Sequence, residues 1–355
     1  MSSTIGAFVP ENTDALFRFH FDRCGIANLV TGYNSIDQLS ASRHNKKIAC
    51  LQFPYPIDPK FTDLVAQLLT VCDQVLILMS ELHDRTVEFV QQHDHERISY
   101  FICGEFNFQL HRSPVHKFYD WFTTSVHFYR FIRPTTLDTL NPYSVKLYYF
   151  DALLGRKKPH RDFAYKRLAT MENNIVTYSD DVSCDFNDPA KWIWELDGLE
   201  SVPVAQWTVE RVRYYGHMMT ISQIIPLSVY NKTAYTLVAE TSYSNHYNFY
   251  TEKTVKPILG RRLFLSLSGQ NQMANLRKIG FQTFGDIVDE SYDQEPMSLM
   301  RYDRVLDQIR YLQTQSQEEV LEKLKPICDH NFRVMITTNW YDQYFRPAFS
   351  SYFNQ

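Results

Sequence analysis

Two short runs of this sequence gather cations where a helix is due to begin. In Phe150-Asp151-Ala152-Leu153-Leu154-Gly155-Arg156-Lys157-Lys158-Pro159-His160-Arg161, an apolar strand leads into a loop and a first helical turn. Arg156, Lys157, Lys158, His160 and Arg161 crowd that turn, against the helix macrodipole. The conflict is resolved if an anion binds there, held by the helix start and by guanidinium forks. A solvated basic loop fits the same residues. The second run is Glu240-Thr241-Ser242-Tyr243, followed after six residues by Tyr250-Thr251-Glu252-Lys253-Thr254. Glu240 ends an apolar strand, a place for a carboxylate only if it faces a cleft. Thr251 is a fitting N-cap, which puts Glu252 and Lys253 in the first helical turn. A carboxylate there can accept two hydroxyls of a ribose, and a lysine there suits a phosphate. A capped surface helix is the plain alternative.

The elements that position these runs follow from hydrophobic spacing. Strands are expected at Lys47 to Phe53, Gln74 to Met79 and Ile98 to Cys103, with helices at Phe61 to Leu69 and Glu81 to Gln92 between them. A second series has strands at Val145 to Phe150, Ile175 to Tyr178, Ala234 to Glu240 and Leu263 to Leu267. Its helices are expected at His160 to Met171, Thr251 to Gly260 and Asn271 to Ile279, with a late one at Glu318 to Lys325. Strands alternating with helices of this length imply βαβ units and parallel sheets. The expectation is an α/β protein of two Rossmann-like lobes with a cleft between them. Residues 1–142 form the first lobe, 143–325 the second, and 326–355 a segment returning to the first. Residues 185–210, rich in Trp and irregular, read as an insertion.

Composition excludes several classes. The chain has 355 residues, a net charge of -4, 44% apolar and 21% charged residues, which is a globular balance rather than a disordered one. No apolar run approaches the roughly 18 residues of a membrane span, and the first residues lack a signal-peptide pattern. A cytoplasmic protein is expected. No two of the 11 glycines stand two apart, so there is neither a G-x-G-x-x-G nor a Walker loop. Phosphates must then be held by side chains and helix starts. The six cysteines form no C-x-x-C and read as buried thiols. His93-Asp94-His95 reads as a solvated helix end rather than a metal cluster, and no metal or cofactor is expected. Mild acidity argues against general nucleic-acid binding and leaves room only for a local groove that takes a polyanion.

Glu240-x-Ser242 followed by Tyr250-Thr251-Glu252-Lys253, a short helix and an apolar strand resembles the donor-binding motif of the α1,3-fucosyltransferase family. The stretch Thr251 to Ile258, with Gly280 to Phe284 and Asp289 to Asp293, is similar to glycosyltransferase-like proteins of large bacteriophages. The resemblance implies a two-lobed GT-B fold and transfer of a sugar from a nucleoside-diphosphate sugar to a saccharide or small-molecule hydroxyl. By position it implies that Glu252 bonds the ribose and Lys253 pairs with the diphosphate. Arg156, or else Arg161, stabilises the leaving group, and Glu240 and Ser242 shape the pocket. The family's Phe-Glu-Asn-Ser stands here as Ala239-Glu240-Thr241-Ser242, without its Asn. No two aspartates stand two apart, so cations take the place of a metal, and inversion then needs a base on the first lobe. Glu105, flanked by Gly104 and Phe106, ranks above Glu81; each follows an expected strand. Two rival readings remain: a non-catalytic nucleotide- or carbohydrate-binding accessory protein, and an enzyme that glycosylates DNA bases.

Overall fold

The computed structural model describes residues 5–54, 58–179 and 211–354; the expected insertion over 185–210 lies outside them. Two compact units divide the chain, one running to Asp120 and resuming at Asn339, the other spanning Trp121–Thr338. The division falls before Asn141-Pro142 because the helical turns after Asp120 pack into the second unit. There the Phe122 ring lies 6.0 Å from Tyr250 and 5.9 Å from Phe281. Nor does the second unit end at 325. One helix runs Gln317–Thr337 through Pro326, and buried Ile327, Cys328 and Met335 continue its apolar face. The closing residues belong to the first unit, where Phe349 meets Phe21 and Phe101 and the Tyr352 hydroxyl donates to Ser99 at 2.7 Å.

In the first unit the strands are β1 (Ile5–Phe8), β2 (Val30–Tyr33), β3 (Lys47–Gln52), β4 (Gln74–Met79), β5 (Ile98–Cys103), the two-residue β6 (Glu105–Phe106) and β7 (Val115–Phe118). Six of them form one parallel sheet in the order β2-β1-β3-β4-β5-β7. The central strands β3, β4 and β5 are buried nearly end to end, as covered parallel strands must be. Their Val, Ile and Leu runs announced them. The short β1, β2 and β7 did not stand out, and β2 is a half-exposed edge. Asp94 holds the following loop by accepting the N–H groups of His111, Arg112 and Ser113 at 2.7–3.0 Å.

The second unit begins its sheet with β8 (Tyr148–Arg156) and β9 (Asn174–Ser179). A hairpin of β10 (Arg211–Tyr214) and β11 (His217–Thr220) stands apart, turned by Tyr215 and Gly216 at φ 46° and 79°. Then come β12 (Thr233–Ala239), the short β13 (Tyr247–Asn248) and β14 (Phe264–Leu267). Four strands are parallel in the order β14-β12-β8-β9. From β8 the chain goes first to β9 on one side and later to β12 on the other. The carboxyl ends of β8 and β12 therefore flank a topological switch point, where open α/β sheets leave a crevice. Both runs singled out in the sequence start at these two strand ends.

Beneath that edge the sheet is locked by a buried ion pair. Arg262 donates to Asp151 at 2.6 Å, and also to the Tyr230, Thr233 and Tyr235 carbonyls and the Thr233 and Thr236 hydroxyls. Burial pushes the Asp151 carboxyl up, and the Arg262 charge and the two threonine hydroxyls oppose it. Among the described residues no helix is long and apolar enough to cross a membrane.

Candidate functional site

Glu240 is the joint of the site. It is fully buried, one residue past β12, and its carboxylate accepts four hydrogen bonds. Oε1 takes the Thr251 N–H at 3.2 Å and the Thr254 hydroxyl at 2.6 Å; Oε2 takes the Thr251 hydroxyl at 2.6 Å and the Thr241 N–H at 3.1 Å. These bonds fasten the end of β12 to the start of the Glu252–Leu259 helix. The carboxylate is therefore turned into the fold. In this structure it acts as a clamp, since all four bonds hold backbone or threonine groups of the chain itself.

The other helix start is fastened to the same residue. The helix Pro159–Leu168 follows β8 after a bulge at Leu153–Arg156, where Gly155 turns at φ 62°. His160 Nε2 donates to the Glu240 carbonyl at 2.9 Å, and Arg161 Nη2 reaches the Ala239 and Glu240 carbonyls at 3.3 and 3.4 Å. Both side chains are buried, and the His160 ring lies 4.6 Å from Tyr243. They anchor the helix to β12 instead of pointing out as free cations.

Two lysines meet on the residue after Glu240. Lys158, the N-cap of its helix, donates Nζ to the Thr241 carbonyl at 2.6 Å. Lys253 donates Nζ to the Thr241 hydroxyl at 3.3 Å and pairs with the Glu252 carboxylate. Thr251 caps the second helix as expected, its hydroxyl accepting the Lys253 N–H. Glu252 is buried, not a solvated first-turn carboxylate, while the Lys253 side chain is 22% exposed. Burial works against ionising Glu252, but the Lys253 and Lys256 charges overcome it and hold its carboxyl below the usual range. An ionised Glu252 can only accept hydrogen bonds, which suits hydroxyl ligands.

The remaining expected residues are placed as follows. Lys157 is exposed and Ser242 half-buried. Arg156 closes β8, and its side chain lies outside the described residues. Tyr250 is buried with its hydroxyl on the Gln272 carbonyl at 3.2 Å, so it packs the core below the site. Glu81 and Glu105 belong to the first unit, after β4 and β5. Glu81 is exposed. Glu105 is buried, and its carboxylate has polar partners that its sequence context did not suggest. Lys117 pairs with it at 3.0 Å and the Tyr119 hydroxyl reaches it at 3.4 Å, both brought by β7 and the residue after it. Sequence reasoning missed Thr241, Thr254 and Lys256. Only the i, i+3 spacing of Thr251 and Thr254 signalled that a second hydroxyl would face the same way.

Two buried histidines give both units an acid sensitivity. Burial, and then the Arg161 charge, pushes His160 down to about 3; burial, and then Arg23, pushes His20 of the first unit down to about 4. Each ring is neutral when folded but takes a proton near pH 6.5 when unfolded. Their stabilisation is therefore complete above about pH 6.5 and falls with pH toward the folded values, by roughly 2 kcal/mol each at pH 5. Thermal melts from pH 7.5 to 5 should show the decline, and His160→Gln should flatten it for the second unit. A pH-independent melt would contradict the assignment.

No protein-family model matches this chain, and no curated protein matches it in sequence. Among the described residues no group of three or more His, Cys, Asp or Glu side chains could hold a metal ion.

Proposed function

We propose that the second unit binds a nucleoside-diphosphate sugar and that the protein transfers the sugar to a hydroxyl acceptor, with inversion and without a metal. The observation that carries this reading is the meeting of Lys158 and Lys253, from two helix starts, on Thr241 at the switch point of a parallel sheet. Two ammonium groups so placed can hold a diphosphate, and the ionised Glu252 beside them can accept ribose hydroxyls. Arg156 stabilises the departing diphosphate. In the reaction the acceptor oxygen bonds to the anomeric carbon while the carbon–oxygen bond to the diphosphate breaks. The diphosphate leaves with that electron pair, and the acceptor proton passes to a general base. The resemblance to α1,3-fucosyltransferases supports the donor class.

One observation favours a rival. Glu105 is occupied by Lys117 and Tyr119, which suits a binding protein without turnover better than a poised base. A thermal-shift panel of GDP, UDP, ADP, CMP and dTDP sugars tests donor binding. Ligand at about 100 times its dissociation constant adds roughly 2.7 kcal/mol of stability. One nucleotide class should give that shift, and a flat panel would sink the proposal. Slow release of nucleoside diphosphate, unchanged by EDTA, is expected of the enzyme. Strict dependence on Mn²⁺ or Mg²⁺ would overturn the metal-free mechanism.

A further inference from the structure

Lys256 is a second cation beside Glu252, and the donor-site reading gives it no ligand. It lies one helical turn after Glu252, is 8% exposed, and makes no hydrogen bond or ion pair among the described residues. Its stem is enclosed while Nζ keeps contact with solvent, and at i+4 it stands on the same helix face as Glu252. The charges acting on it are Glu252 and Lys253 of its own helix, Asp151 of β8, and Glu240 after β12. Two of the three carboxylates are already committed. Asp151 is paired with Arg262, and Glu240 holds four donors. Glu252 is the exception, since its side-chain partner among the described residues, Lys253, is shared with Thr241 and is the very lysine a phosphate would attract.

A diphosphate arriving at Lys253 acts on Glu252 twice. It draws away the paired ammonium, and its own negative charge favours protonation of a nearby buried carboxyl. Protonated Glu252 would lose its acceptor-only character just when a ligand hydroxyl is presented to it. We propose that Lys256 is a reserve counter-ion that keeps Glu252 ionised when Lys253 turns to a bound phosphate. Lys256 is thus a positioning residue that acts through Glu252, and this role rests on the donor-site reading. Burial pushes the Lys256 amine down to about 8, against the opposing Glu252 charge, so it is still mostly protonated at pH 7.

The test has an arm that needs no ligand. Lys253→Met removes the pairing charge as a phosphate would, and Glu252 should stay ionised because Lys256 remains. In K253M/K256M both cations are gone, and the folded carboxyl should titrate above its unfolded value. A raised carboxyl binds its proton more tightly when folded, so stability is gained as pH falls. Relative to K253M, the double variant should therefore gain melting temperature between about pH 7 and 5, and K253M/K256R should follow K253M. Coincident profiles for K253M and K253M/K256M would overturn the proposal. If the double variant does not fold, carbon NMR of the Glu252 carboxyl in K253M decides. Titration in or below the usual carboxylate range supports Lys256, and titration above about pH 6 refutes it. In the ligand arm, K256M should bind the nucleotide sugar identified by the panel about tenfold more weakly at pH 7, with K256R restoring affinity; one pKa unit corresponds to such a factor. Equal affinity of K256M and the wild type would count against the role. A wild type that binds no nucleotide sugar sinks the donor-site reading instead, and the ligand-free arm still decides whether Lys256 serves Glu252.

Discussion

Lys253→Ala should weaken binding of a nucleoside-diphosphate sugar roughly a hundredfold while leaving the fold intact. The side chain is partly exposed, and its polar partners among the described residues are Glu252 and the Thr241 hydroxyl. A buried phosphate that loses a hydrogen-bonded cation forfeits about 3 kcal/mol, hence two decades in affinity. Glu252→Ala should be costlier to the fold than its first-turn position suggested. It strips the charge that faces Lys256 and leaves that buried amine with less compensation. Calorimetry with the nucleotide that shifts the wild-type melt measures the first effect, and thermal melts the second. Unchanged donor affinity in Lys253→Ala would remove the phosphate from this helix start.

The N-cap and the residues after it were legible because helix starts obey local rules. Thr251, Glu252 and Lys253 are where capping preference puts them. The apolar runs of β3, β4 and β5 were legible for the same local reason. Convergence was not legible. That Lys158 and Lys253 reach one residue depends on β8 lying beside β12, and strand order is a property of the whole sheet. The inward turn of Glu240 was hidden as well, since its partners Thr251 and Thr254 come from across a loop. His160 and Arg161 looked like ligands for an anion because a sequence does not say which carbonyls are near. The buried backbone at the end of β12 uses their donors. Composition carried no sign of the boundary at Asp120, because the aromatic residues that follow it resemble those before it.

Glu240→Ala should be the most disruptive single change in this region, lowering stability by about 3–5 kcal/mol and abolishing donor binding. Four donors lose their acceptor, two of them backbone N–H groups, and all but the Thr241 N–H are buried. Donors left unsatisfied cost about 1–3 kcal/mol each when they find no substitute, and the threonine hydroxyls can rotate while the N–H groups cannot. In a unit of this size the loss is worth roughly 10 °C of melting temperature. Glu240→Gln separates the clamp from a ligand-binding carboxylate. Its shape is kept, yet its amide nitrogen replaces one accepting oxygen and confronts a backbone N–H. For a clamp, stability falls measurably, by about 1–3 kcal/mol, and donor affinity falls with it, because Thr241 no longer sits where both lysines reach it. For a carboxylate that only binds ligand, melting would be unchanged and affinity alone would suffer. A Gln variant with wild-type melting and lost affinity would return Glu240 to the pocket wall. Parallel losses would place it beneath the site as the residue on which the two cationic helix starts are hung.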